Sequence, residues 1–290
     1  MIHIDDIKQR LKKNKEPKEV TKMRKHILDT FKNLEFIEEG HKYFIHNEDG
    51  TVDNPISVSG LVKEFEVEVD WDAKAQGVAD REGVDISVIK RKWKEKNITA
   101  TNSGSLHHLF GEQLMKLIIN PKSKIDPIIK PQFEEGFLIP SAPKQEAIVK
   151  YWEDIIGIDE MYPLIPEVKM YMPLDNKFGI KRLYCGTADI TFAIKYKGEW
   201  SIIIHDYKTN ASLTSDYARS FEQYMLEPFN DMFDESLGHY TVQLSLYQMM
   251  LMNLGYKIID RKLIWLKNDG NYEKVFVPDV TQKLIEYYSK

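Results

Sequence analysis

Apolar and polar positions along the chain change period several times, and each change marks an element. The run 41–46, His-Lys-Tyr-Phe-Ile-His, and the β-prone residues after Gly50 flank Asp49-Gly50, which predicts a hairpin. From 58 to 119 apolar residues recur at helical spacing, with Gly77, Gly83 and the stretch 97–104 expected as breaks. Five prolines (Pro121, Pro127, Pro131, Pro140, Pro143) then mark 120–144 as a connection. A helix is predicted over 145–156. Strands are predicted over 167–172, 183–194, 200–207, 257–267 and 272–277, a buried helix over 239–254 and a last helix over 280–288. A helical front followed by β, β, β, α, β, β predicts an α/β protein. The chain divides into a basic N-terminal arm (1–40), a hairpin and helical region (41–144) and a core (145–290).

Composition narrows the function. Hydrophobic residues make up 42% of the 290, enough for a sizeable core, so whole-chain disorder is excluded. A net charge of −5 argues against a purely electrostatic nucleic-acid clamp but leaves room for a local site. Residues 1–32 carry ten basic and five acidic side chains, and Lys90-Arg91-Lys92 with Lys94 and Lys96 forms a second basic run. Both fit a solvated helix face or a phosphate contact. One cysteine, Cys185, excludes an internal disulfide, a four-cysteine zinc site and a cysteine-held iron–sulfur cluster. No apolar run approaches a membrane span, and Asp5, Asp6 and Lys8 precede any apolar stretch, unlike a secretory signal. A soluble, cytoplasmic protein with no membrane partner is expected.

The most informative stretch runs from Gly186-Thr-Ala-Asp189 to Asp206-Tyr-Lys208. A two-residue turn at Lys197-Gly198 would pair residues whose numbers add to 395, which sets Asp189 opposite Asp206. Lys208, two residues on, shares that strand face. Facing carboxylates need a shared proton, a basic partner or a metal cation. Two aspartates and a lysine suit Mg²⁺ or Mn²⁺, and the same spacing also fits an Asp–Lys salt bridge. His205 points to the other face, and Trp71, Trp93 and Cys185 are expected in the core.

These residues resemble the core motif of the PD-(D/E)XK nuclease superfamily, in its RecB-like branch, with Ala188 in the position of the namesake proline. Gln243-Leu-Ser-Leu-Tyr247 resembles the branch's Q-x-x-x-Y motif. Gly104-Ser-Leu-His-His108 with Glu112 resembles its upstream G-[TS]-x-x-H-x-x-x-E motif. Glu167 matches an often acidic position on the first core strand. The likeness spans roughly 56–277. It implies a restriction-endonuclease-like mixed sheet flanked by helices, with 145–290 as the nuclease core. It implies one or two Mg²⁺ or Mn²⁺ ions on His108, Asp189, Asp206 and the Tyr207 carbonyl, with Glu167 a further shell acid. Lys208 would orient or deprotonate the attacking water, and Glu112 would support His108. Gln243 and Tyr247 would lie near the lysine or the DNA backbone, and Lys90, Arg91 and Lys92 would meet phosphates.

The implied activity is a DNA exonuclease of recombination, repair or phage DNA processing, acting in the host cytoplasm if phage-encoded. A structure-specific endonuclease, a catalytically silent DNA-binding protein and an unrelated metal hydrolase are the alternatives. No Walker A loop occurs, so a helicase or recombination partner would be a separate chain.

Overall fold

The computed structural model describes residues 15–124, 132–156, 158–175 and 181–289, with His3, Asp5, Asp6 and Gln9. Lys8, Arg10, Lys12 and Lys13 of the basic arm, and Pro127 and Pro131 of the connection, lie outside the described residues. Helix α1 (Lys18–Thr30) buries Val20, Met23 and Ile27, spaced three and four apart. Its Arg24 holds Glu16 and donates to the carbonyls of Pro163 and Leu164, while Lys22 and Lys25 face solvent. This portion of the basic segment is a docked core helix.

Strands β1 (Leu34–Ile37), β2 (Lys42–His46) and β3 (Val52–Asp53) form a small antiparallel sheet, with Gly50 at positive φ in the hairpin between β2 and β3. Then come β4 (Ile56–Ser57), α2 (Val58–Lys63), α3 (Trp71–Glu82) and α4 (Ile86–Ile119). Gly83 ends α3 in the left-handed conformation, as a helix stop should. Two expected breaks are absent. Gly77 lies inside α3, and 97–104 lies inside α4, a single helix of 34 residues. The stretch from Asn97 to Gly104 holds weak helix formers but no proline. Each costs about 1 kcal/mol or less, and packed turns on both sides carry the helix through.

After the short hairpin of β5 (Gln132–Glu134) and β6 (Phe137–Ile139), α5 (Pro143–Ile156) begins with a proline in its first turn. Strands β7 (Met161–Asp175), β8 (Lys181–Tyr196) and β9 (Glu199–Lys208) follow, then α6 (Asp216–Ser220) and α7 (Ser236–Asn253). Strands β10 (Ile258–Leu266) and β11 (Tyr272–Phe276) and helix α8 (Thr281–Tyr288) close the chain. The main sheet runs β11-β10-β9-β8-β4, with β7 on the other edge of β8. Strand β9 pairs in parallel with β10 through the α7 crossover and antiparallel with β8, so the protein is a mixed α/β fold.

Helices cover both faces of this sheet. Ile202 and Ile204 of β9 join a core shared with α1, α2 and α7, whereas Ile203 and Tyr207 join one shared with α4 and α5. Among the described residues no helix is long and apolar enough to cross a membrane.

Candidate active site

The β8–β9 hairpin turns at Lys197 and Gly198, both at positive φ, as a two-residue turn between twisted strands requires. Its register follows the predicted pairing from Tyr196↔Glu199 to Ile190↔His205 and stops there, one step short of Asp189 and Asp206. Beyond that point β9 stays paired with β10, and β8 stays paired with β7. Strand β4 occupies the same edge of β8 only at Tyr184 and Cys185. Residues 186–189 therefore face a gap between β4 and β9. Into it the Tyr207 N–H donates to Asp189 Oδ2 at 2.7 Å, a side-chain bond where a ladder bond would have been.

The alternation of β8 also reverses here. Ala188 packs in the α7-side core and Ile190 in the α4-side core. On β7 the paired residues Pro166↔Ile190 and Val168↔Ala188 leave Glu167 opposite Asp189, with Glu167 at φ +46°. A non-glycine residue held in the left-handed region stores backbone strain, a feature that concentrates at functional sites.

Five elements deliver the side chains: α4, β7, β8, β9 and α7. His108, on α4, places Nδ1 3.1 Å from Asp189 Oδ2 and 3.9 Å from Glu167 Oε1. His107 turns back to the Ser103 carbonyl at 2.5 Å, so His108 is the inward histidine. Asp206 and Lys208 come from the end of β9, with Nζ 2.5 Å from Asp206 Oδ2. That contact is a buried ion pair. Lys208 donates to Gln243 Oε1 at 3.2 Å, and Gln243 donates to Tyr247 Oη at 2.8 Å. The pair on α7 thus fixes the ammonium.

Two glycines let these helices close on the strands. A Cβ at Gly111 would lie 2.5 Å from Tyr207 Cε2, so only glycine lets α4 settle against that ring, one turn from His108. A Cβ at Gly186 would lie 2.6 Å from Tyr247 Cε1 and 2.9 Å from Val58 Cγ2. The glycine that opens Gly-Thr-Ala-Asp is therefore a packing requirement for α7 and α2.

Electrostatics follow from crowding acids in a buried place. Burial disfavours a charged imidazole, but Asp189, with Glu167 and Asp206 behind it, outweighs that and raises His108 to about 9. Burial first, then the Asp189 charge, pushes both Glu167 and Asp206 up, while Lys208 partly offsets this for Asp206. Asp189 is held low: burial opposes its ionisation, but the His108 charge and hydrogen bond prevail. Lys208 is also raised, since Asp206 outweighs the cost of burying its charge.

The donor set fits a divalent cation. His108, Glu167 and Asp189 offer ligand atoms all within 4.8 Å of one another, and Asp206, ion-paired to Lys208, is a further buried carboxylate beside them. Carboxylate oxygens with one imidazole are donors that a divalent cation can use.

Glu112 forms an i,i+4 pair with Lys116 at 2.7 Å, and its charge helps to raise Glu167. Other expected residues stand apart. Lys90 pairs with Asp72 and Lys92 with Glu82, while Arg91 is exposed. All three lie on α4 some 25 Å or so along the helix from His108, at about 1.5 Å per residue. His205 is buried on the far side against Tyr151 Oη, and Cys185 is a core residue.

Sequence reasoning missed Tyr240 and Tyr43. The Tyr240 ring lies 4.1 Å from Lys208 Nζ, and its hydroxyl donates to Asn210 Oδ1. Its position three residues before Gln243 on one helix face was the available signal. Tyr43 bonds Thr187 Oγ1 at 3.0 Å from the small sheet, a contact no local pattern announces.

Compared with known proteins, the chain matches no family model and no curated sequence.

Proposed function

We propose that this protein is a divalent-metal-dependent deoxyribonuclease, an exonuclease hydrolysing phosphodiester bonds from DNA ends, on a restriction-endonuclease-like core of the PD-(D/E)XK kind. One observation carries the reading. His108, Glu167 and Asp189 converge beside Asp206 and Lys208 where β8 and β9 diverge. A structural salt bridge accounts for Lys208 and Asp206 but not for the buried Asp189, the half-buried Glu167 and an imidazole beside them.

His108, Asp189 and Asp206, with Glu167 at the edge, would hold Mg²⁺ or Mn²⁺. Such an ion, when bound, supplies Lewis acidity to a phosphate oxygen and acidity to a water. Lys208 is cationic while its carboxylate neighbours are unneutralised, so its ammonium orients the attacking water and faces the phosphate charge. Gln243 and Tyr240 keep that ammonium from swinging away. With the carboxylate charge neutralised, Lys208 can give up its proton and take one from the water. Water oxygen then bonds to phosphorus as the bond to the sugar oxygen breaks, the attacking water's proton passes to Lys208, and a solvent water protonates the departing sugar oxygen.

The test is incubation with linear and closed circular DNA in Mg²⁺, Mn²⁺ or EDTA. The reading expects metal-dependent loss of linear DNA with circles intact. Nicked circles would convert it to an endonuclease, and no cleavage under any condition would sink it.

A further inference from the structure

Trp71 belongs by composition in a core, yet it is 62% exposed, and it does not stand alone. Its ring meets Trp93 of α4 edge-on, with centroids 6.1 Å apart. Lys74, one turn on in α3, holds Nζ 5.3 Å from the Trp71 ring and 4.5 Å from the Tyr217 ring of α6. Tyr217 in turn lies 4.7 Å from Phe221. Tyr217 is 51% and Phe221 70% exposed. Four rings and one ammonium thus form a continuous strip across three elements. Among the described residues Lys74 has ring partners and no carboxylate partner.

The surroundings select the ligand. Residues 90–96 of α4, which include Trp93, carry five basic side chains and one acidic; Lys90 and Lys92 are paired with Asp72 and Glu82, which leaves Arg91, Lys94 and Lys96 for a ligand's charge. Asp72 is paired with Lys90 and Asp70 caps α3. Glu68 beside Trp71, Asp216 beside Tyr217 and Glu222 beside Phe221 keep the ring side of the strip acidic, so the positive charge lies on the α4 side. A partner with both flat apolar faces and repeated negative charge matches this strip, and unpaired nucleotides have both. The strip also connects to the site. Helix α6 hangs on the segment that leaves β9 after Lys208, and α4 passes close to it, since a Cβ at Gly104 would lie 3.4 Å from Thr209 Oγ1.

We infer that Trp71, Lys74, Tyr217 and Phe221 form a stacking platform for the unpaired bases of a single-stranded nucleic acid whose backbone runs along the basic half of α4. This deepens the nuclease reading and rests on it for the link between platform and chemistry: the strand held there is the one presented at Asp206 and Lys208.

The experiment measures binding by the full chain in EDTA, where no cleavage occurs. The probes are a thymidine oligomer, an abasic oligomer of equal length and a blunt duplex. The unaltered protein should bind the thymidine oligomer more tightly than either the abasic oligomer or the duplex. Phe221→Ala and Trp71→Ala should each weaken thymidine-oligomer binding about fivefold or more, and abasic binding less than about twofold. Trp71→Phe, which keeps a ring, should restore most of the loss, and melting curves confirm folding. Equal affinity for base-bearing and abasic strands, or variants that bind like the parent, would overturn the platform. The nuclease reading fails separately. No cleavage in Mg²⁺ alongside base-dependent binding removes the nuclease and keeps the platform, and cleavage without base-dependent binding does the reverse.

Discussion

The two halves of α4 are one helix in two environments. Up to Gly104 it buries only Ile89, which packs on Ala75 and Ala79 of α3. From Phe110 onward it buries Phe110, Gly111, Leu114, Met115 and Ile118 against the sheet. His108 stands at the boundary. A histidine placed there gains a rigid base from the buried half while its imidazole still reaches the gap between β8 and β9. The solvated half, free of core duty, carries the charge and one ring of the aromatic strip. Precise placement and adaptable contact are therefore separated along a single element.

The largest effect should come from the buried side. Asp206→Asn or Lys208→Ala is expected to cut metal-dependent DNA cleavage by about a thousandfold or more, read as initial rates on linear DNA. A variant retaining a tenth of the activity would mean that the gap between β8 and β9 is not the reaction centre.

Gly111→Ala is next. The added Cβ meets a buried ring with no room to retreat, so α4 must shift, at a cost of about 2 kcal/mol in urea denaturation. Cleavage should fall with it, because His108 moves.

On the solvated side, Glu235 clamps α6 by accepting from the Ser215 N–H at 2.8 Å and from Arg219 Nη2 at 2.8 Å. Burial would raise this carboxyl, but Arg219 and the Ser215 amide hold it below its ordinary value of 4.5. A depressed acid contributes stability above its unfolded value and loses it as pH falls through the folded one. Glu235→Gln should thus cost about 1 kcal/mol at neutral pH, discounted for the half-exposed Arg219. The gap to the parent protein should close progressively below pH 4.5. A gap unchanged down to pH 3 would remove the clamp.

The smallest effect carries the opposite sign. A Cβ at Gly104 meets Thr209 Oγ1 at 3.4 Å, an ordinary contact, so Gly104→Ala should stabilise by about 0.5–1 kcal/mol through helix propensity. If Gly104→Ala and Gly111→Ala shift the melting temperature alike, the division of α4 is wrong.

Much of this was legible locally. Lys197-Gly198 set the register of β8 on β9 through Ile190↔His205, because a two-residue turn leaves no slack. The spacing of Gln243 and Tyr247 placed both on one face of α7, and both reach the lysine chain. Residues 97–104 misled, since their weak propensity is overridden by packing at both ends of α4. Glu112 pairs with Lys116 at the same i,i+4 spacing that separates it from His108, and its charge still reaches Glu167.

By itself the sequence determined most elements of 145–290, the turn that pairs β8 with β9, and a short list of candidate acids, histidine and lysine. These are local properties, written in periodicity and spacing. They do not include the unbroken α4 or the β5–β6 hairpin inside 120–144. Only the tertiary structure decided that β8 and β9 diverge just before the carboxylates would pair, that Glu167 and His108 arrive from distant elements, and that Trp71 faces water. Those outcomes depend on which helices press on which strand, and that is settled by the shape of two cores at once.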